Sequence, residues 1–391
     1  MKRFIVIGAS AASISFITKL RTFDATSEII CFSGERYQPY NRCFLADVLS
    51  NEKTIKEIEL KPESFYVENR IDLRLNSWVE FIEYDMKMVA IGSEMIEYDY
   101  LFLGVGSHAV HLPFYDEKIQ GLFNFHTLDD IERIQAFIKL KPIQSAIVVG
   151  AGLNGLECSF ALSKLGIKTV LVDGSDRPLA QQVDQRTSEE VLSLMQQGRV
   201  EFVGSSFVDR ILVKDGAIAG VVSKDGKTIL AEMVICAAGA QVQNELVQNS
   251  PLKLHRGSIL VNAALQTNLP EIFAAGDVIF TDELIHKRKA RSMTWSDAML
   301  QGLSAATQFS SAPRPYAGLV GMRDSNFFGR AFYACGETVH VENYEIVEHQ
   351  GKDFFHRLYL ENGLVKGFVM LGNIDQLSVY RQYFLTQKVY E

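Results

Sequence analysis

The chain has 391 residues, 47% hydrophobic and 22% charged, enough for two or three domains with an ample core. A net charge of −8 argues against a general nucleic-acid binder. No apolar run reaches the roughly 18 residues that a membrane span needs. The cysteines (Cys31, Cys43, Cys158, Cys236, Cys335) have no CxxC or metal-ligand spacing, which points to a reducing, cytoplasmic setting and no metal site.

The start, Met1-Lys2-Arg3 before Phe4 to Gly8, has the charge of a signal peptide, but its apolar run is too short and leads straight into a glycine turn. Phe4 to Ile7 read as a strand and Gly8-Ala9-Ser10-Ala11-Ala12-Ser13 as the turn after it. This has the form of a dinucleotide turn in which serine replaces two of three glycines. A helix to about Leu20 and a strand from Glu28 to Phe32 follow, with Glu35 as the candidate ribose acid. Pro39 holds Gln38 extended, so Tyr37 to Cys43 is a loop, with Arg42 beside Cys43 before a helix near Phe44. Short strands are expected at Ile71–Leu75, Val79–Ile82, Lys87–Ile91 and Tyr100–Leu103, the last ending at Gly104-Val105-Gly106.

A helix over Leu128–Leu140 stops before Pro142, and Ile147-Val148-Val149 is a buried parallel strand. Gly150-Ala151-Gly152-Leu153-Asn154-Gly155 comes next. Gly150 permits the tight turn, Gly152 lets backbone approach a pyrophosphate, and Gly155 lets helix and strand pack closely. The helix N-terminus offers free N–H groups to phosphates. Asp173, ending the strand Thr169–Val172, is placed to bind a ribose 2′-OH and to repel a 2′-phosphate, which favours NADH over NADPH.

A polar helix is expected from Gln181 to Gln197 and alternating strands from Glu201 to Ile229. Met233 to Cys236 is a buried strand leading to Gly239, a counterpart of Leu101 to Gly106, so the chain holds two similar halves. Ile272 to Ala275 is a strand with Gly276-Asp277 at its carboxyl end, where ligands bind in open α/β sheets. The run His286-Lys287-Arg288-Lys289-Ala290-Arg291 is basic, and a helix carrying Trp295 and Gln301-Gly302 follows. Pro313 and Pro315 mark a linker, and the remainder is strand-rich with a late helix over Leu377–Phe384.

Together these motifs resemble the FAD-dependent pyridine nucleotide-disulfide oxidoreductase superfamily, in particular NADH:rubredoxin reductases and the flavin module of the nitrite reductase large subunit. The motifs that carry the resemblance are Gly150 to Glu157 with Asp173, Thr267 to Val278, Tyr40-Asn41-Arg42 and the Trp295 to Gly302 helix. It implies an α/β fold of two Rossmann-like (FAD and NAD) dinucleotide-binding domains plus a small α+β C-terminal domain. The expected boundaries are 1–112 with 243–314 for FAD, 113–242 for NAD(H), and 315–391. Carried over, Gly8, Ser10, Ser13 and Glu35 hold the ADP half of FAD, with Arg42 by the flavin. Gly276 and Asp277 bind its ribitol and pyrophosphate, and Trp295 lies near the isoalloxazine edge. Gly150, Gly152, Gly155 and Asp173 hold NADH, with Glu157 close to the nicotinamide, and Gly106 and Gly239 complete the cofactor-binding set.

The leading reading is an FAD-dependent NADH oxidoreductase that passes electrons to a small acidic carrier such as rubredoxin, as a monomer or homodimer without membrane or nucleic-acid partners. Lys287, Arg288, Lys289 and Arg291 are its candidate landing site. A second reading makes Cys43 the single redox cysteine of a peroxide or coenzyme A disulfide-like reductase, its thiol pKa lowered by Arg42. Serines at positions 10 and 13 in place of two glycines allow a third: a degenerate flavoprotein acting as scaffold or sensor; Val105, where many members have threonine, is a further departure that bears on FAD affinity.

Overall fold

A computed structural model describes residues 1–285 and 287–390. The chain divides into two compact units. One comprises residues 1–41, 55–108 and 241–321, the other residues 42–54, 109–240 and 322–391.

The first unit is built on a five-stranded parallel sheet. Its order is Ile272–Ala274, Tyr100–Leu103, Arg3–Ile7, Glu28–Phe32, Ile71–Arg74. These strands are near-continuous apolar runs because helices and loops cover both faces. The helix Ala11–Leu20 buries Ile14, Phe16, Ile17 and Leu20 against it, and Phe16 stacks on Phe102 with ring centres 4.2 Å apart. The helix Trp295–Thr307 packs closely on Ala11–Leu20, because Gly302 has no Cβ; one built there would lie 2.0 Å from the Ala12 carbonyl oxygen. A three-stranded antiparallel meander, Phe81–Glu83, Met88–Ile91 and Glu94–Glu97, completes the excursion between the third and fourth strands in sequence.

The second unit repeats the plan. Its parallel sheet has the order Val200–Val203, Lys168–Val172, Ser145–Val149, Met233–Cys236, Leu122–Asn124. The meander Val208–Lys214, Ala217–Ser223 and Thr228–Leu230 lies at the corresponding point of the chain. The edge strand Leu122–Asn124 has no clear signal in its sequence; pairing with Met233–Cys236 creates it. The polar helix begins at Gln185, four residues later than its composition suggests, because the Asp184 side chain caps it by accepting from the Thr187 N–H at 2.9 Å.

The chain ends in a five-stranded antiparallel sheet covered by the helix Leu377–Thr386. The fold is therefore α/β with two Rossmann-like halves and a small α+β C-terminal part. Among the described residues no helix is long and apolar enough to cross a membrane.

Candidate functional site: two dinucleotide turns and a carboxyl cluster

Both turns share one construction. In the first unit, the Gly8 N–H donates to the Phe32 carbonyl and the Gly104 N–H to that of Ile7, each at 2.9 Å. Gly8 has φ +92°, and a Cβ there would stand 2.2 Å from the Gly104 carbonyl oxygen. In the second, the Gly150 N–H donates to Val172 and the Ala237 N–H to Val149, each at 2.8 Å. Gly150 has φ +109°, and a Cβ there would stand 2.5 Å from the Ala237 carbonyl oxygen. Only glycine meets both demands.

The third motif positions differ. A Cβ on Gly155 would lie 1.8 Å from the Gly150 carbonyl oxygen, so packing alone requires glycine there. At the equivalent place Ser13 is fully buried, and its Oγ occupies the space where a Cβ on Gly104 would be. The extra bulk in the helix is thus absorbed by a glycine in the strand-end loop. Ser13 Oγ has no hydrogen-bond partner and is enclosed in this seam.

Gly152 is different again: the nearest atom to its missing Cβ is Gln182 Nε2, at 3.8 Å. Internal packing does not demand glycine here, whereas a closely approaching phosphate does. Gly152 and Ser10 are the N-cap residues of their helices and neither gives a side-chain cap bond. By contrast, Thr127, Asp184 and Thr294 cap the three 13-residue helices. Uncapped N–H groups and the positive dipole end form an anion cradle at each turn, which fits the pyrophosphates of FAD and NADH.

The predicted ribose acids are held in place. Asp173 accepts from the Ala151 N–H at 2.7 Å and the Ser175 N–H at 2.6 Å, which fixes the carboxylate beside the turn with lone pairs to spare. Glu35 accepts from the Tyr40 hydroxyl at 2.6 Å. Gly276 has φ +85° and its N–H donates to Gln301 Oε1 at 2.7 Å, while Asp277 accepts from the Ser107 hydroxyl at 2.6 Å. Sequence reasoning singled out Gln301 as part of a pattern without giving it a task. It is a buried clamp on the Gly276-Asp277 turn, and Ser107 holds the carboxylate. Trp295 is half-buried against the core of its unit. Gly106 (φ +70°) and Gly239 (φ +99°) follow the corresponding strands Tyr100–Leu103 and Met233–Cys236 of the two sheets, each with open space where a Cβ would be.

A second group of side chains lies within the other unit. Glu157, on the helix Leu153–Lys164, accepts from the Ser325 hydroxyl at 2.5 Å. Burial pushes its carboxyl up to about 8, reinforced by Asp47 and Asp324 and opposed by the Ser325 bond. Cys43 lies in the short 3-10 helix Arg42–Phe44. As a residue it is exposed, but protein crowds its sulfur. That crowding, with the Asp324 and Glu157 carboxyls, pushes the thiol up to about 12. The thiol is thus raised rather than lowered as its place beside Arg42 suggests: the Asp324 and Glu157 carboxyls add to the rise, and the Arg42 guanidinium donates to the His126 carbonyl at 2.8 Å. Asp324 and Ser325 had no signal in the sequence, since they come from the distant C-terminal sheet.

In the basic run, Arg288 pairs with Glu283 at 3.4 Å and Lys289 with Asp282 at 3.2 Å; Lys287 and Arg291 are exposed, and His286 lies outside the described residues.

Two anion cradles, one with Asp173 directly after the next strand and the other with Glu35 three residues past it, define the class: an FAD-dependent NAD(P)H oxidoreductase using FAD and NADH. A family profile for pyridine nucleotide-disulphide oxidoreductases matches residues 2–302, and the chain belongs to that family. It is 28% identical, over 81% of its length and 79% of the relative, to a 3-phenylpropionate/cinnamic acid dioxygenase ferredoxin–NAD(+) reductase component of Photorhabdus laumondii. It is 27% identical to a rubredoxin-NAD(+) reductase of Pseudomonas putida, over 80% of this chain and 81% of that one. Its fold matches a chain of the covalent putidaredoxin reductase–putidaredoxin complex with a TM-score of 0.92 and 21% identity, covering 100% of this chain and 94% of that one.

Proposed function

We propose that the protein carries electrons from NADH through FAD to a small redox protein such as a rubredoxin. FAD supplies the chemistry when bound, since it takes up a hydride and releases electrons one at a time. In this reading residues 1–112 with 243–314 bind FAD, residues 113–242 bind NADH, and 315–391 form the C-terminal domain. Gly8, Ser10, Glu35, Arg42, Gly106, Gly276, Asp277 and Trp295 face FAD. Gly150, Gly152, Asp173 and Gly239 face NADH, Gly155 lets the helix pack closely beneath that turn, and Glu157 lies by the nicotinamide. Ser13 is left a packing role.

The observation that carries a flavin-only route is the surroundings of Cys43. A thiol raised by burial and by two carboxyls is a poor nucleophile, which weighs against the peroxide or disulfide reading. The relatives named for ferredoxin and rubredoxin support a small carrier as acceptor. Its proposed landing site is the run Lys287, Arg288, Lys289 and Arg291, in which Arg288 and Lys289 pair with Glu283 and Asp282. Free cysteines throughout support a cytoplasmic setting.

The test is the anaerobic visible spectrum before and after NADH, followed by mixing with oxidised rubredoxin. The proposal expects a yellow protein that NADH bleaches and rubredoxin restores. A long-wavelength band that vanishes in Cys43→Ser would favour the thiol reading. A colourless protein that FAD does not colour would favour the scaffold.

A further inference from the structure

The loops that follow each candidate ribose acid share a feature that the two turns do not require. In the first unit, the loop after Glu28–Phe32 is tied to the loop after its sheet neighbour Ile71–Arg74. The Ser77 N–H donates to the Ser33 carbonyl at 2.7 Å, and the Asn76 N–H to the Glu35 carbonyl at 2.9 Å. In the second, the loop after Lys168–Val172 is tied to the loop after Val200–Val203. The Ser206 N–H donates to the Asp173 carbonyl at 2.8 Å, and the Ser205 N–H to the Ser175 carbonyl at 2.7 Å. Asn76 and Ser205 are both left-handed, with φ of 50° and 51°. The register is thus the same, and Asn76-Ser77-Trp78 corresponds to Ser205-Ser206-Phe207.

The third residue of each triplet is an aromatic ring 61% exposed to solvent. Each ring lies against a glycine that adjoins the acid. A Cβ on Gly34 would stand 2.5 Å from Trp78 Cε3, and one on Gly174 would stand 2.2 Å from Phe207 Cε1. The carboxylate falls on opposite sides of that glycine: Glu35 follows Gly34, and Asp173 precedes Gly174. Lys224 Nζ is 5.5 Å from the Phe207 ring centre, and the ring remains mostly open. Leaving a large ring in water is unfavourable, yet both units do so at the same point, and both fix the ring by close contact with a residue that has no side chain.

We propose that Trp78 and Phe207 are stacking plates for adenine, Trp78 for the adenine of FAD and Phe207 for that of NADH. A ribose held by the neighbouring acid leaves its base within reach of the ring, and every purine has a π-face that an aromatic side chain can cover. The glycine sets the depth of the plate. The inference rests on Glu35 and Asp173 acting as the ribose acids.

The test uses the holoprotein and reads binding. FAD retained after equilibrium dialysis, followed by flavin absorbance, is compared for the unsubstituted protein, Trp78→Ala, Trp78→Phe and Gly34→Ala. NAD+ affinity is compared by calorimetry for Phe207→Ala, Phe207→Trp and Gly174→Ala. Removing a plate (Ala at 78 or 207) or displacing it (Ala at 34 or 174) weakens binding of its own ligand on the order of tenfold. The aromatic replacements stay near the parent value, and each set leaves the other ligand unaffected. Both rings are exposed, so truncation removes no core. Unchanged FAD retention in Trp78→Ala and Gly34→Ala would overturn the role of Trp78, and unchanged NAD+ affinity in Phe207→Ala and Gly174→Ala that of Phe207. An unsubstituted protein that binds neither ligand would instead refute the reading beneath.

Discussion

Glu157→Gln should stabilise the protein by an amount that grows as pH rises from about 4.5 to about 8. In the fold the Glu157 carboxyl titrates at about 8, against 4.5 in an ordinary setting, mainly because it is buried. Between those values the folded chain holds a proton that the unfolded chain has released. The fold binds more protons across that window, so stability falls as pH rises through it. A shift of this size corresponds to an upper bound of about 5 kcal/mol. Partial exposure and relaxation around the carboxylate reduce the expected value to about 1–3 kcal/mol. Glutamine keeps the shape and can accept the Ser325 bond with its carbonyl oxygen, so only the charge is removed. Asp47 and Asp324, also raised by burial, remain in place. The assay is thermal unfolding of both proteins from pH 4 to pH 9. The two should melt alike near pH 4.5 and separate by a few degrees at pH 8 to 9, the variant higher. A gap that does not change with pH, or a variant less stable at pH 9, would refute the reasoning.

Gly152→Ala and Gly155→Ala should separate binding from folding. The first has open space, so it keeps the parent melting temperature and loses NAD+ affinity by calorimetry; the second forces a Cβ to within 1.8 Å of a carbonyl oxygen and costs several kcal/mol of stability. Ser13→Ala removes a buried hydroxyl that has no partner, and should raise stability by about 1 kcal/mol in denaturant unfolding without altering FAD retention. Asp173→Asn should narrow the preference for NADH over NADPH in kcat/KM, because the amide does not repel a 2′-phosphate. Lys287→Glu with Arg291→Glu should slow rubredoxin reduction and flatten its salt dependence while leaving bleaching by NADH unchanged. Equal carrier rates at low salt would dispose of the landing site.

Much of this protein is legible locally. Apolar strand runs, each ending in a glycine turn with an acid after the next strand, identify the two Rossmann-like halves. Their information lies within about thirty consecutive residues, and the glycines there answer to backbone geometry that no other residue meets. The correspondence of Leu101–Gly106 in one half to Met233–Gly239 in the other is visible for the same reason.

What the sequence could not show are contacts between distant segments. Ser13 reads as a defect in a motif until Gly104, some ninety residues later, is seen to leave room for its Oγ. Gln301 reads as one letter of a pattern until its side chain is found on the Gly276 N–H. Cys43 reads as a thiol beside a cation, because Arg42 is its neighbour in the chain. Folding buries the sulfur and brings in the Asp324 and Glu157 carboxyls from elsewhere, and together these raise the thiol. Electrostatic environment depends on distance in space and on burial, and neither is written in the order of residues.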